Sequence, residues 1–67
     1  MSFKERREFE ELEKRIEISE TRKAELERVL SASIDFVAVE AAYTELQSLN
    51  RQLEGDVDRW AALAELA

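Results

Sequence analysis

The 67-residue sequence has no cysteine, no histidine and no proline, and it holds a single glycine, Gly55. Each absence removes a class of function. Without cysteine there is no disulfide framework and no thiol nucleophile, which excludes a small secreted module held together by bridges. Without cysteine or histidine nearly all zinc chemistry goes, together with imidazole general bases. One glycine cannot build the G-x-x-x-x-G-K-[ST] loop whose backbone N–H groups cradle nucleotide phosphates, so nucleotide chemistry within these residues is excluded. No apolar run approaches the roughly 20 residues that span a bilayer. The N-terminal stretch, with Lys4, Arg6 and Arg7 among glutamates, lacks the apolar segment of a signal peptide. The expectation is a soluble, cytoplasmic chain with no membrane partner.

Charged residues make up 39% of the sequence, and in the absence of proline that composition belongs to long helices rather than sheets. The predicted class is all-α, as one domain over residues 1–67. Below about 70–80 residues a single core rarely supplies more than roughly 3–5 kcal/mol, so deep pockets are not expected. The formal net charge of −6 argues, as an average, against unaided binding to a phosphate backbone. The average hides an asymmetry: Met1 to Arg28 holds eight basic and nine acidic residues, Val29 to Ala67 two basic and seven acidic. Nearly all the positive charge lies in the first half.

Two helical patterns divide the chain. In the first, Phe9, Leu12, Ile16, Leu26 and Leu30 recur in alternating steps of three and four, the a/d stripe of a coiled coil, with Ser19 and Lys23 weakening its middle. The second stripe is stronger: Val39, Ala42, Leu46, Leu49, Leu53, Asp56, Trp60, Leu63 and Ala67 share one register, and only Asp56 is polar. Between them lies Ser31-Ala32-Ser33-Ile34-Asp35, whose hydroxyls and carboxylate suit turns and N-caps. The prediction is a helix over about 3–31, a turn at 32–35 and a helix over about 36–66, folded as a two-helix antiparallel coiled-coil hairpin because the connection is short. Facing the seams places Leu30 at Val39, Leu26 at Ala42 and Tyr43, Ile16 at Leu53, Leu12 at Asp56 and Val57, and Phe9 at Trp60.

Local signals agree with this reading. Ser2 and Glu5 match the S-x-x-E capping box. Glu10 with Lys14 and Glu11 with Arg15 stand four apart in the favourable order, each pair contributing about 0.2–0.5 kcal/mol. Gly55 costs roughly 1 kcal/mol against alanine inside a helix, and beside Asp56 it predicts a local bend or fray. A two-helix seam buries its apolar residues only in part, while ordering the backbone costs about 1–2 kcal/mol per residue. The isolated hairpin is therefore expected to be marginal. Either it forms a homodimer, with Ile18, Tyr43, Val57 and Leu66 widening the contact, or it leans on a larger protein.

The candidate functional surface is the outward row of the first helix. With Phe9 at a, the f positions are Arg7, Lys14, Thr21 and Arg28, a row about 31 Å long at 1.5 Å per residue, with Lys4, Arg15 and Arg22 on adjoining rows. Such a face tracks phosphates of DNA or RNA by charge and shape; the competing reading is a solvated face whose interleaved glutamates neutralise it. The matching row of the second helix, Thr44, Arg51, Asp58 and Glu65, offers no such stripe. Lys23 on the seam reads as a snorkelling side chain with its stem against Leu46. Phe9 and Trp60 read as core rather than base-stacking platforms. Glu8, Glu10, Glu11 and Glu13 read as a solvated face, since no cleft converges their oxygens for metal binding or acid/base work. No catalytic residue is assigned.

The opening Ser2-Phe3-Lys4-Glu5-Arg6-Arg7-Glu8-Phe9-Glu10-Glu11-Leu12-Glu13 and the closing Arg59-Trp60-Ala61-Ala62-Leu63-Ala64-Glu65-Leu66-Ala67 resemble the C-terminal coiled-coil domain of ABC-F ATPases of the Uup type, whose tails open like L-S-Y-K-E-x-R-E-L-E-x-L and close like R-W-E-E-L. The resemblance covers the whole chain, including the aromatic-bearing turn Ile34-Asp35-Phe36. It departs from the family pattern in lacking a turn proline and in its acidic second helix. It implies a non-catalytic arm of a cytoplasmic ATPase without membrane spans, with ATP and magnesium bound by two cassettes upstream of residue 1, a start methionine preceding the excised domain, and ribosome-associated work. It further implies nucleic-acid binding, to DNA or ribosomal RNA, with Lys4, Arg6, Arg7, Lys14 and Arg15 as principal contacts and Arg22 and Arg28 extending the surface. The alternative is a structural module that docks on the cassettes or self-associates, with no nucleic-acid role.

Overall fold

A computed structural model describes residues 1–66. It contains two helices, α1 (Phe3–Ala32) and α2 (Phe36–Ala64), packed antiparallel in a rod of 49 × 15 × 14 Å. The fold is the expected all-α helical hairpin. Ala67, placed by the heptad pattern at the end of the second stripe, lies outside the described residues.

The caps form where the sequence puts them. The Ser2 hydroxyl accepts from the Glu5 N–H at 3.2 Å and the Glu5 carboxylate accepts from the Ser2 N–H at 2.9 Å, closing the capping box. At the other end, the Ser33 N–H donates to the Val29 carbonyl at 2.9 Å. Asp35 then caps α2 by accepting from the Val37 N–H at 3.0 Å. Asp35 is itself held by its own N–H donating to the Ser33 hydroxyl at 3.1 Å. Three residues between helices force the antiparallel return.

The seam follows the heptad register. Leu12, Leu26, Ala42 and Leu63 are buried, as are the two polar seam residues Ser19 and Asp56, and Phe9, Ile16, Lys23, Leu30, Val39, Leu46, Leu49, Leu53 and Trp60 are half-buried. Phe9 and Trp60 clasp the open end, their rings stacked with centroids 5.5 Å apart and planes 16° apart, an offset-stacked distance for aromatic pairs. Ile18, Tyr43 and Leu66 remain exposed, and Val57 lies at the edge of the seam.

Three expectations need correction. α2 runs through Gly55 without a break, because a helix with a packed seam on both sides of an exposed c position tolerates one glycine. Glu11 pairs with Arg7, at 3.7 Å, rather than with Arg15. Arg15 instead crosses to α2, where its Nη2 lies 3.0 Å from the buried Asp56, a carboxylate that gains far more from a cation than an exposed glutamate does. Glu10 and Lys14 form no ion pair among the described residues. α2 ends at Ala64, where the Leu66 N–H bonds to the Leu63 carbonyl at 3.0 Å and so tightens the last turn.

Candidate nucleic-acid interface

The hairpin sorts the seven candidate cations by the direction in which their row points. Arg7, Lys14 and Arg28 occupy the row of α1 directly opposite the seam, and all three are exposed. Lys4 lies one row to one side, and Arg6 to the other, near the open end. Arg15 and Arg22 sit on the flank where α1 meets α2, and there the structure commits them to carboxylates.

Arg22 carries the densest set of contacts. Its Nε donates to Glu45 Oε2 at 2.6 Å, its Nη2 to Glu45 Oε1 at 2.9 Å, and its Nη1 to Glu25 Oε2 at 3.0 Å. This is the bidentate fork that suits guanidinium to carboxylate. The hydrogen bonds that Arg22 donates to Glu45 and then to Glu25 raise its pKa further above its ordinary value, and Arg22 in turn lowers that of Glu45. At the open end Arg59 makes the same bidentate contact to Glu8, at 2.9 and 3.0 Å. Its hydrogen bonding holds the Glu8 carboxyl below the usual range. With Arg15 and Asp56 between them, these pairs lace one flank of the hairpin along its length.

The outer row is different. Among the described residues Lys4, Arg6, Lys14 and Arg28 enter no ion pair, and Arg7 makes only the loose 3.7 Å contact to Glu11, both partners well exposed. An exposed pair of that length contributes little, and Arg7 can exchange it for a phosphate. The face therefore presents Arg7, Lys14 and Arg28 at seven- and fourteen-residue intervals, with Lys4 and Arg6 clustered at one end.

One neighbour of this face was not singled out in the sequence. Phe3 is 83% exposed and shares a shallow surface depression with Arg6, Arg7 and Glu10. An aromatic face beside two guanidinium groups suits stacking on a base. The signal for it is a phenylalanine lying off the a/d stripe at the b position. Phe9 and Trp60, by contrast, cover each other, and the Trp60 indole Nε1 donates to Glu13 at 3.3 Å. No group of three or more acidic side chains among the described residues is arranged to hold a metal ion, and no helix there is long and apolar enough to cross a membrane.

A family model described as the ABC transporter C-terminal domain matches residues 1–65. No curated protein matches the chain, and neither does any solved structure.

Proposed function

The chain belongs to the ABC transporter C-terminal domain family, and from that premise we propose that it is a non-catalytic accessory arm of a cytoplasmic ABC-F ATPase of the Uup type, binding DNA or ribosomal RNA through the outer face of α1. Arg7, Lys14 and Arg28 would contact phosphates along the helix, and Lys4 and Arg6 would extend the contact at the open end. On this reading ATP and magnesium are bound by cassettes outside residues 1–67, since a chain with one glycine offers no phosphate loop.

The observation that supports this best is the division of labour among the cations. The hairpin's cross-helix ion pairs draw on Arg15, Arg22 and Arg59, so the outer row is not needed to hold the fold. Among the described residues its one ion pair is the loose Arg7–Glu11 contact within α1, and its spacing gives a linear, sequence-independent array suited to a nucleic-acid backbone. The acidic second helix faces away and would orient the arm by repulsion.

A fluorescence-anisotropy titration of labelled duplex DNA, branched DNA and structured RNA tests the proposal. Binding should weaken steeply with salt and should be lost in the folded triple variant Arg7→Glu, Lys14→Glu, Arg28→Glu. Binding that is insensitive to salt, or absent for all three nucleic acids at low salt, would favour a structural role in docking or self-association instead.

A further inference from the structure

The two flanks of the seam are chemically unlike. One is closed by the three cross-helix ion pairs at Glu8, Arg15 and Arg22. On the other, the register set by those pairs brings Glu13, Glu20 and Glu27 of α1, each seven residues from the next, level with Val57, Asn50 and Tyr43 of α2. No ion pair crosses this second flank among the described residues. Its cross-helix hydrogen bond is the 3.3 Å contact from Trp60 Nε1 to Glu13. Val57 is 36% exposed and Tyr43 54%, and Phe36, in the same heptad row, is 76% exposed. Glu13, Ile16, Glu20, Val57 and Trp60 line an open groove of about 320 Å³ in the half of this flank nearer the open end.

We propose that this flank docks a cationic amphipathic α-helix of a protein partner, which lays an apolar row along Phe36, Tyr43 and Val57 and a Lys/Arg row along Glu13, Glu20 and Glu27 to complete a three-helix coiled coil. The charge pattern selects the occupant. A second copy of this chain meeting the same flank would set glutamate rows against each other, and like charges at close range oppose pairing. A nucleic-acid backbone is repelled for the same reason. The hairpin's own basic row, on the outer face of α1, points away from the groove. Heptad spacing in both the acidic and the apolar row then calls for a partner that repeats every seven residues, as a coiled-coil helix does. About 21 Å separates Glu13 from Glu27 at 1.5 Å per residue, so three heptads cover the glutamate row. Arg6 continues this row seven residues before Glu13 and belongs to the outer-face cluster, so the docked stretch runs from Glu13 toward the turn, and the residues named for it are distinct from those proposed to contact phosphates.

The test uses a fluorescein-labelled synthetic peptide of three heptads with leucine at a and d and lysine at the flanking positions. A scrambled peptide of the same composition and a version with glutamate in place of lysine serve as comparisons. The heptad peptide is expected to bind at least tenfold more tightly than the scrambled one, and the glutamate version not to bind. Tyr43→Glu with Val57→Glu should raise Kd at least tenfold, and Glu13→Gln with Glu20→Gln and Glu27→Gln should raise it and remove most of its salt dependence. Amide chemical-shift mapping on the unsubstituted domain, which needs no variant to fold, should place the changes at residues 13, 20, 27, 43 and 57. Equal binding of the scrambled peptide, shifts centred on Arg7, Lys14 and Arg28, or dimerisation of the free hairpin through Tyr43 and Val57 would overturn the proposal.

Discussion

Asp56 occupies an a/d seam position, is 8% exposed, and has one carboxylate oxygen on Arg15 and the other, Oδ2, buried with no hydrogen-bond partner among the described residues. Removing a charge from water is costly even when it is paired, and replacing a buried ionic residue with an apolar one of similar size is often neutral or stabilising. Asp56→Leu is therefore expected to raise stability by about 1–3 kcal/mol, measured by urea denaturation; a loss of stability would mean that the Arg15 contact outweighs the desolvation. Gly55, its neighbour, is the simpler case. A Cβ built there meets nothing within 4 Å, and no positive φ is required. Gly55→Ala should stabilise the hairpin by about 0.5–1 kcal/mol through backbone entropy and helix propensity, seen as a higher Tm with unchanged oligomeric state.

Among the elements, the ends and the laced flank of the hairpin respond to pH through three carboxylates. The Ser2 backbone N–H, and then its hydroxyl, lower the Glu5 pKa from the ordinary 4.5. Arg59 lowers that of Glu8 and Arg22 that of Glu45, in both cases chiefly by hydrogen bonding. A carboxylate whose folded value lies below its unfolded value contributes stability that is complete above the unfolded value and is lost as pH falls through the folded one. From these groups the Tm should hold steady down to about pH 5 and decline below about pH 4.5. Glu45→Gln should make that decline shallower, and a decline as steep as before would show that the flank pairs do not report on folding. All three groups face solvent, so the effect of each is small.

The same elements show what a sequence reader can and cannot extract. Helix positions, caps and the facing of Phe9 to Trp60 were legible because they follow from a repeat, a capping box and a short connection, each with one favourable solution. The partners of the arginines were not. Arg15 has Glu11 one turn away and Asp56 across the seam, and the choice depends on how deeply Asp56 is buried, which no spacing rule carries. The heptad register already puts Arg7, Lys14 and Arg28 on the outer row and Arg15 and Arg22 beside it, but only the hairpin shows that Arg15 and Arg22 are engaged by carboxylates of α2. The exposed Phe3 was not legible as part of a site, because a heptad stripe assigns no role to an aromatic that lies outside it.

At the scale of the whole molecule, a rod two helices wide has only one seam, and its most aromatic contact sits at the open end where the chain termini meet. Trp60→Ala removes the stack on Phe9 and the Glu13 hydrogen bond together. It should cost about 2 kcal/mol, less than a fully buried tryptophan because Trp60 is half-buried, and the loss should appear in circular dichroism as fraying of both termini before the turn. The outer face carries no such burden. Its three basic residues can be neutralised without touching seam, caps or flank, which allows function to be separated from folding.

The central claim, that this face reads phosphates, is tested most directly by the salt dependence of duplex DNA affinity for the unsubstituted hairpin and for Arg7→Gln, Lys14→Gln, Arg28→Gln. Each phosphate neutralised contributes about −0.9 to the slope of log K against log salt on duplex DNA, so losing three contacts should make the slope shallower by about 2.7 while the melting temperature stays within a few degrees of the original. An unchanged slope and affinity in the folded variant would contradict the claim and place the function of the arm elsewhere on its surface.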